Sequence, residues 1–186
     1  MKVMLETERL ILRPFVVEDA EMMFSNWASD PEVTKYVTWL PHENVKVTKI
    51  LLNSWVKQYE KPERLNFAIV LKENNELIGG IDVVGYLGGP KGTPVIGYVL
   101  SKKYWGRGIA TEACKRVLEY LFSLGYEEVR IDAEVENIAS NRVIQKCGGQ
   151  FVKVEEDDVP LKNKKVLVNR YIVNKQSFNR IINNKC

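Results

Sequence analysis

The stretch that decides the fold runs from Val95 to Leu124, VIGYVLSKKYWGRGIATEACKRVLEYLFSL. Val95 to Leu100 reads as a buried strand, an apolar run of strand length. Beyond it Ala113, Val117, Leu118, Leu121 and Phe122 keep the 3.6-residue period of a helix, which Gly125 ends as a C′ glycine. Gly106 and Gly108 flank Arg107 where that helix opens. Glycines allow the backbone to approach a ligand closely, and the first-turn N–H groups of a helix have no internal partner. The helix dipole adds a partial positive charge at the same place, so the loop suits a phosphate, with Arg107 adding an ionic contact. A tight strand-to-helix turn would use the same two glycines for geometry alone.

Toward the C-terminus, Val129, Ile131, Ala133 and Val135 alternate with Arg130, Asp132 and Glu134, the period of a strand with two unlike faces. A short helix is expected from about Ile138 to Lys146, stopped by Gly148-Gly149. Strands near Phe151 to Glu155 and Val166 to Val173 follow. Toward the N-terminus, Leu77 to Val84 and Phe67 to Lys72 form a strand pair across a turn containing Asn74-Asn75. Ahead of them, Val45, Leu52, Trp55, Val56 and Tyr59 mark one helix, stopped at Lys61-Pro62. Ala20, Met23, Phe24 and Trp27 mark another, with Asp19 as its cap and Asp30-Pro31 as its break. Thr7 to Pro14 reads as the first strand. Without repeat or linker, residues 1–186 are expected to form a single α+β domain.

Composition narrows the function. Apolar residues make up 45% and charged residues 27% of 186, as in an ordinary globular chain. The formal charge of +3 comes without a Lys/Arg block, which argues against a nucleic-acid partner. Three cysteines at unrelated spacings suggest neither a disulfide framework nor a zinc site, and the single histidine, His42, excludes a two-histidine metal motif. Charge precedes any apolar stretch of signal length, and no run reaches the ~20 apolar residues of a membrane span. A cytoplasmic protein with no membrane partner and no metal is expected, as a monomer or homodimer. A dinucleotide fingerprint would need glycine where Thr111 stands. Asp132 does lie on the following strand, but too little chain remains for repeated βαβ units.

Trp105-Gly106-Arg107-Gly108-Ile109-Ala110 resembles the R/Q-x-x-G-x-G/A signature of the GNAT superfamily of N-acetyltransferases, with Trp105 where Arg or Gln is usual. That departure, the continuation Thr111-Glu112-Ala113, the opening Thr7-Glu8-Arg9-Leu10-Ile11-Leu12-Arg13-Pro14 and the run Asn137-Ile138-Ala139-Ser140-Asn141-Arg142-Val143 are similar to the branch of ribosomal-protein N-terminal acetyltransferases. The likeness spans about residues 6 to 173. It implies a GNAT fold: a mostly antiparallel, twisted sheet of about seven strands, flanked by about four helices, with its fourth and fifth strands splayed. These two would be Val95–Leu100 and Val129–Val135.

The resemblance further implies acetyl-CoA as co-substrate and an amine acceptor. Tyr98, Val99 and Leu100 would pair with the pantetheine arm, and the amides of Gly106, Arg107, Gly108, Ile109, Ala110 and Thr111 would hold the pyrophosphate. Asn137 would bond the pantetheine amide, although its chemistry equally suits a helix N-cap. Direct transfer needs a neutral amine, and an alkyl amine of pKa ~10.4 is almost wholly protonated at pH 7. The fourth strand offers no carboxylate base, so Asp132 or Glu134 on the fifth is the candidate; for carboxylates alternating with apolar residues a solvated strand face is the commoner outcome. Ile144 stands where many members place a proton-donating tyrosine, leaving Ser140 or water as the acid. Tyr36, Trp39, His42, Tyr86 and the loop Gly85–Pro94 are placed near the acceptor entrance. Two other readings stand beside transfer: a module that binds acyl-CoA without turnover, and a nicotinamide-dinucleotide enzyme.

Overall fold

Strands assemble into one sheet in the computed structural model, which describes residues 3–61, 64–89 and 92–183. In chain order they are β1 (Leu5–Glu6), β2 (Leu10–Pro14), β3 (Asn66–Leu71), β4 (Leu77–Leu87), β5 (Thr93–Leu100), β6 (Glu128–Glu134), β7 (Gln150–Val159) and β8 (Lys164–Asn174). Across the sheet they run β1-β2-β3-β4-β5-β6-β8-β7, antiparallel throughout except where β5 meets β6. The helices are α1 (Ala20–Met23), α2 (Val45–Gln58), α3 (Ile109–Ser123), α4 (Ile138–Lys146) and α5 (Lys175–Asn183). This is the mixed, mostly antiparallel arrangement the sequence led us to expect. The stop at Pro62, the loop residues Pro90 and Lys91, the first two residues and Cys186 lie outside the described residues.

Period-2 patterning sends alternate residues of each strand into one of two cores. On one face Phe67, Ile69, Ile81, Ile96, Val129 and Ile131 pack beneath α3, whose Val117, Leu118 and Leu121 are fully buried. On the other, Ala68 and Val70 meet Phe15, Trp27 and Leu52 from the segment carrying α1 and α2. Each fully buried Leu, Ile or Phe contributes about 1.5–3 kcal/mol, so the two layers fix the sheet between them.

Four details depart from the expectation. The first strand is a hairpin, with Leu5 and Glu6 folding back on Leu12 and Ile11, which makes eight strands rather than seven. The first helix keeps α geometry only to Met23 and then widens into a π turn over Phe24–Ala28. Asp19 does not cap that helix: its carboxylate is gripped at 2.8 and 2.7 Å by the two terminal nitrogens of Arg13 and accepts the Val16 amide. A bidentate charged pair outweighs a single cap bond. Finally, α5 docks Phe178 on Phe122 with ring centres 5.4 Å apart; no helix was expected there, although Phe178, Ile181 and Ile182 keep helical spacing.

Candidate active site

The parallel seam between β5 and β6 pairs only Val95 with Arg130 and Ile96 with Ile131 among the described residues. Beyond Ile96 the strands part into a fork. The Ser101 amide donates to Ile78 O, and the antiparallel register to β4 alternates from there. Val99 therefore turns its peptide groups toward β4, where its carbonyl crowds Gly79. Tyr98 and Leu100 turn theirs into the fork. Of the three residues the resemblance assigned to pantetheine, the register leaves two with backbone groups aimed at that space. Trp105 Nε1 donates to Leu100 O at 2.7 Å, bolting the following loop to the strand. That gives the unusual tryptophan a positioning role.

The loop enters α3 through Gly106 at φ +74° and Gly108 at φ +75°, left-handed backbone that costs an L-residue roughly 1–2 kcal/mol. No side chain caps the helix, so the amides over residues 109–111 keep their free hydrogens. The opening is braced from the side instead. Glu112 accepts from Thr7 Oγ1 at 2.5 Å, from the Arg9 amide at 3.1 Å and from Arg9 Nε at 2.7 Å. Arg9 also donates to the Arg107 carbonyl, and its other terminal nitrogen lies 3.7 Å from where a Gly108 Cβ would stand. Partial burial pushes the Glu112 carboxyl up, but the bonds from Thr7 and Arg9 prevail and hold it below the usual carboxylate range. Two sequence motifs 103 positions apart thus meet at the helix mouth. Spacing alone gave no signal for that contact.

Asn137 accepts the Ser140 amide at 3.1 Å, so its Oδ1 caps α4. Ser140 Oγ lies 2.7 Å from Tyr98 OH, and burial pushes the Tyr98 phenol far up, keeping it a neutral hydroxyl. The two sequence candidates for the base share one face of β6, yet each is engaged. Asp132 meets Arg130 and Arg170 at 2.9 Å each, and Arg170 also binds Glu155 and Asp157. Glu134 meets Lys164 at 3.2 Å. Sequence reading missed Asn141, a nearly buried hub. Its amide donates to Glu134 O at 3.0 Å and Asn137 O at 2.8 Å, and its Oδ1 accepts from Tyr171 OH at 2.7 Å and Asn169 Nδ2 at 2.8 Å. All its bonding capacity is used, which fixes α4 against the fork.

Among the residues expected near the acceptor, Tyr36 OH reaches Glu136 O at 3.5 Å; Lys162 Nζ reaches the carbonyls of Thr34 and Lys35, joining the loop after α1 to the far side of the fork. Trp39 lies tilted against His42, whose Nδ1 lies 2.8 Å from Thr48 Oγ1 and whose pKa burial lowers. Tyr86 lies beside Tyr126.

The acetyltransferase (GNAT) domain family matches residues 9–150 of this sequence. The chain belongs to that family, whose members transfer an acetyl group from acetyl-CoA. The uncharacterized N-acetyltransferase p20 of Bacillus licheniformis is 33% identical over 149 residues, covering 78% of this chain and 82% of its own. The fold is shared by the microcin self-immunity acetyltransferase MccE, solved with acetyl-CoA and AMP (TM-score 0.79, 18% identity, 90% of this chain and 93% of the other). It is shared too by RimL, a ribosomal-protein α-N-acetyltransferase (TM-score 0.78, 16% identity, 94% and 95%). No helix among the described residues is long and apolar enough to cross a membrane.

Proposed function

We propose that this protein transfers the acetyl group of acetyl-CoA directly to a primary amine, a protein N-terminus or a small-molecule amine, with both substrates bound together. The observation that carries this reading is the uncapped mouth of α3, entered through two left-handed glycines and set beside a fork in which Tyr98 and Leu100 have peptide groups facing outward. The free amides from Gly106 to Thr111 suit a diphosphate, and Arg107 adds charge at the rim. The peptide groups of Tyr98 and the amide of Leu100 suit the amides of the pantetheine arm, as an added strand would. Asn137 keeps Nδ2 for the same arm while Oδ1 caps the helix.

An outward-facing peptide amide of β5 would polarise the thioester oxygen, a donor role worth roughly 10²–10³ in rate. Ser140, oriented by the Tyr98 hydroxyl, is the side-chain hydroxyl for the departing thiolate, with water as the other source. Asp132 and Glu134, paired as they are, shape the field on the acceptor side. Two buried free thiols, Cys114 and Cys147, agree with a cytoplasmic protein, where thiols stay reduced.

Purified protein mixed with acetyl-CoA and an amine panel should release thiol in proportion to amine. The ion pairs on both β6 carboxylates favour one other reading, a module that holds acyl-CoA without turnover. Tight acetyl-CoA binding with no thiol release across peptides and small amines would select it.

A further inference from the structure

A polar row crosses the mouth of the fork on the face that carries α1 and α2. Asn66 stands in register with Asp82, and Asp82 with Gly97; across the parting of the strands Asp132 stands in register with Arg170. Because Ile96 pairs with Ile131, Gly97 and Asp132 lie at one level, a residue above the last rung. The two carboxylates of this row differ in their surroundings. Asp132 is held by two arginines, whereas Asp82 makes no hydrogen bond or ion pair to a described residue. Between Asp82 and the fork stands a residue without a side chain. A Cβ on Gly97 would come within 3.8 Å of Asp82 Oδ1 and 2.9 Å of Val84 Cγ1.

The surroundings of Asp82 are short of partners as well. Asn66 Nδ2 and Arg64 Nε, both buried, lack acceptors among the described residues. Arg64 lies over the Trp55 ring, on the α2 side of the sheet. Unsatisfied buried polar groups cost about 1–3 kcal/mol each, so their gathering around a carboxylate calls for a use.

We propose that Asp82 is the base that takes the proton from the acceptor amine, across the gap left by Gly97. The inference rests on the acetyl-transfer reading above and supplies the group which that reading lacks. In the step, an N–H bond of the ammonium breaks and an O–H bond forms on Asp82. The freed nitrogen pair attacks the thioester carbonyl carbon, and the C–S pair leaves with sulfur. The second amine proton passes to the thiolate through the Ser140 hydroxyl or a water, and Asp82 returns its proton to water. Burial pushes the Asp82 carboxyl up to about 6, with Arg64 drawing it partly back, a value suited to a base working near neutrality. The charged or titratable groups around it are Arg64, Tyr59 (its phenol raised to about 12 by burial, hence neutral), the Arg13–Asp19 pair behind Tyr59, and Asp132 with Arg130 and Arg170.

The test is Asp82→Asn, assayed for thiol release with a short peptide bearing a free N-terminus, Nα-acetyl-lysine amide and spermidine. The wild type should lose kcat/KM as pH falls through about 6. The variant should fall roughly 10²–10⁴-fold at pH 7.5 and lose that limb, with the acetyl-CoA Kd unchanged. Gly97→Ala, which narrows the gap, should lower kcat/KM in the same direction with Kd again unchanged. A variant D82N that keeps its rate and its pH limb overturns this proposal alone. Loss of acetyl-CoA affinity along with rate would mark Asp82 as structural and overturn it too. Silence of the wild type with all three amines overturns the transfer reading and this one together.

Discussion

The two sides of the fork are built from different material. On the side we propose for the cofactor, the groups on offer are mostly peptide amides, presented by left-handed glycines and an uncapped helix, with Arg9 and Glu112 bracing the backbone behind them. On the side we propose for the acceptor, the groups on offer are side chains on one face of β4, β6 and β8, and most of them are bound in ion pairs. The contrast follows from the ligands. A diphosphate has the same shape in every use of the coenzyme, so a rigid arrangement of main-chain donors suffices. Acceptor amines vary, and side chains vary with them while the sheet stays in place.

Substitution on each side should therefore fail differently. The largest effect is expected for Gly108→Glu, which puts a side chain and a negative charge at the helix mouth on a residue with φ +75°. Acetyl-CoA affinity by calorimetry should drop more than ~100-fold, or at least ~2.7 kcal/mol. A folded G108E that still binds would show that backbone amides are not the cofactor's anchor. Next comes Arg170→Met on the other side, which removes the cation shared by Asp132, Glu155 and Asp157 and leaves Asp132 to Arg130 alone. Urea unfolding should show a loss of about 2 kcal/mol, discounted because these carboxylates are partly exposed, with the acetyl-CoA Kd unmoved. If Kd moved as far as stability, the two sides would not be separable.

A smaller effect is expected for Arg9→Met. Its side chain is 45% exposed, so the loss of its bonds to Glu112 and to the Arg107 carbonyl should cost about 1 kcal/mol. The acetyl-CoA Kd should rise roughly five- to tenfold, since the brace touches the loop rather than the ligand. An unchanged Kd would confine Arg9 to stability. The smallest is a pH effect. The Glu112 carboxyl lies below its ordinary value in the folded protein, so its contribution is complete above about pH 4.3 and fades as pH falls through the folded value. The gap in urea midpoint between wild type and Glu112→Gln should thus close on acidification below about pH 4. A gap that widened would reverse the sign assigned to this network.

Much of the cofactor side was legible because it is local. Gly106-Arg107-Gly108, the apolar stripe of α3 and the alternation of β6 lie within one stretch, and short-range periodicity reports them directly. The acceptor side is assembled from strands far apart in the chain. Asp82 sits within LIGGIDVV, where a lone carboxylate in an apolar strand was the available signal. Its relation to Gly97 and Asp132 exists only through register. The two-residue β1 is too short to show a period, and the widened turn at Phe24–Ala28 keeps an apolar spacing that an ordinary helix would share. Asp132 pairs with Arg130 on its own strand, but its other arginine, Arg170, and the Lys164 that holds Glu134 come from a strand thirty or more positions away.

The two-rung seam between β5 and β6 has a mechanical consequence. A sheet joined at its middle by so few bonds resembles a zip left open at one end, and the missing teeth are those a pantetheine arm would supply. The coenzyme would then serve as a temporary ninth strand, and the two wings of the sheet would stiffen against each other when it docks. Amide exchange at Tyr98 and Leu100 should slow in its presence, while Val99, already committed to its neighbour, should not notice.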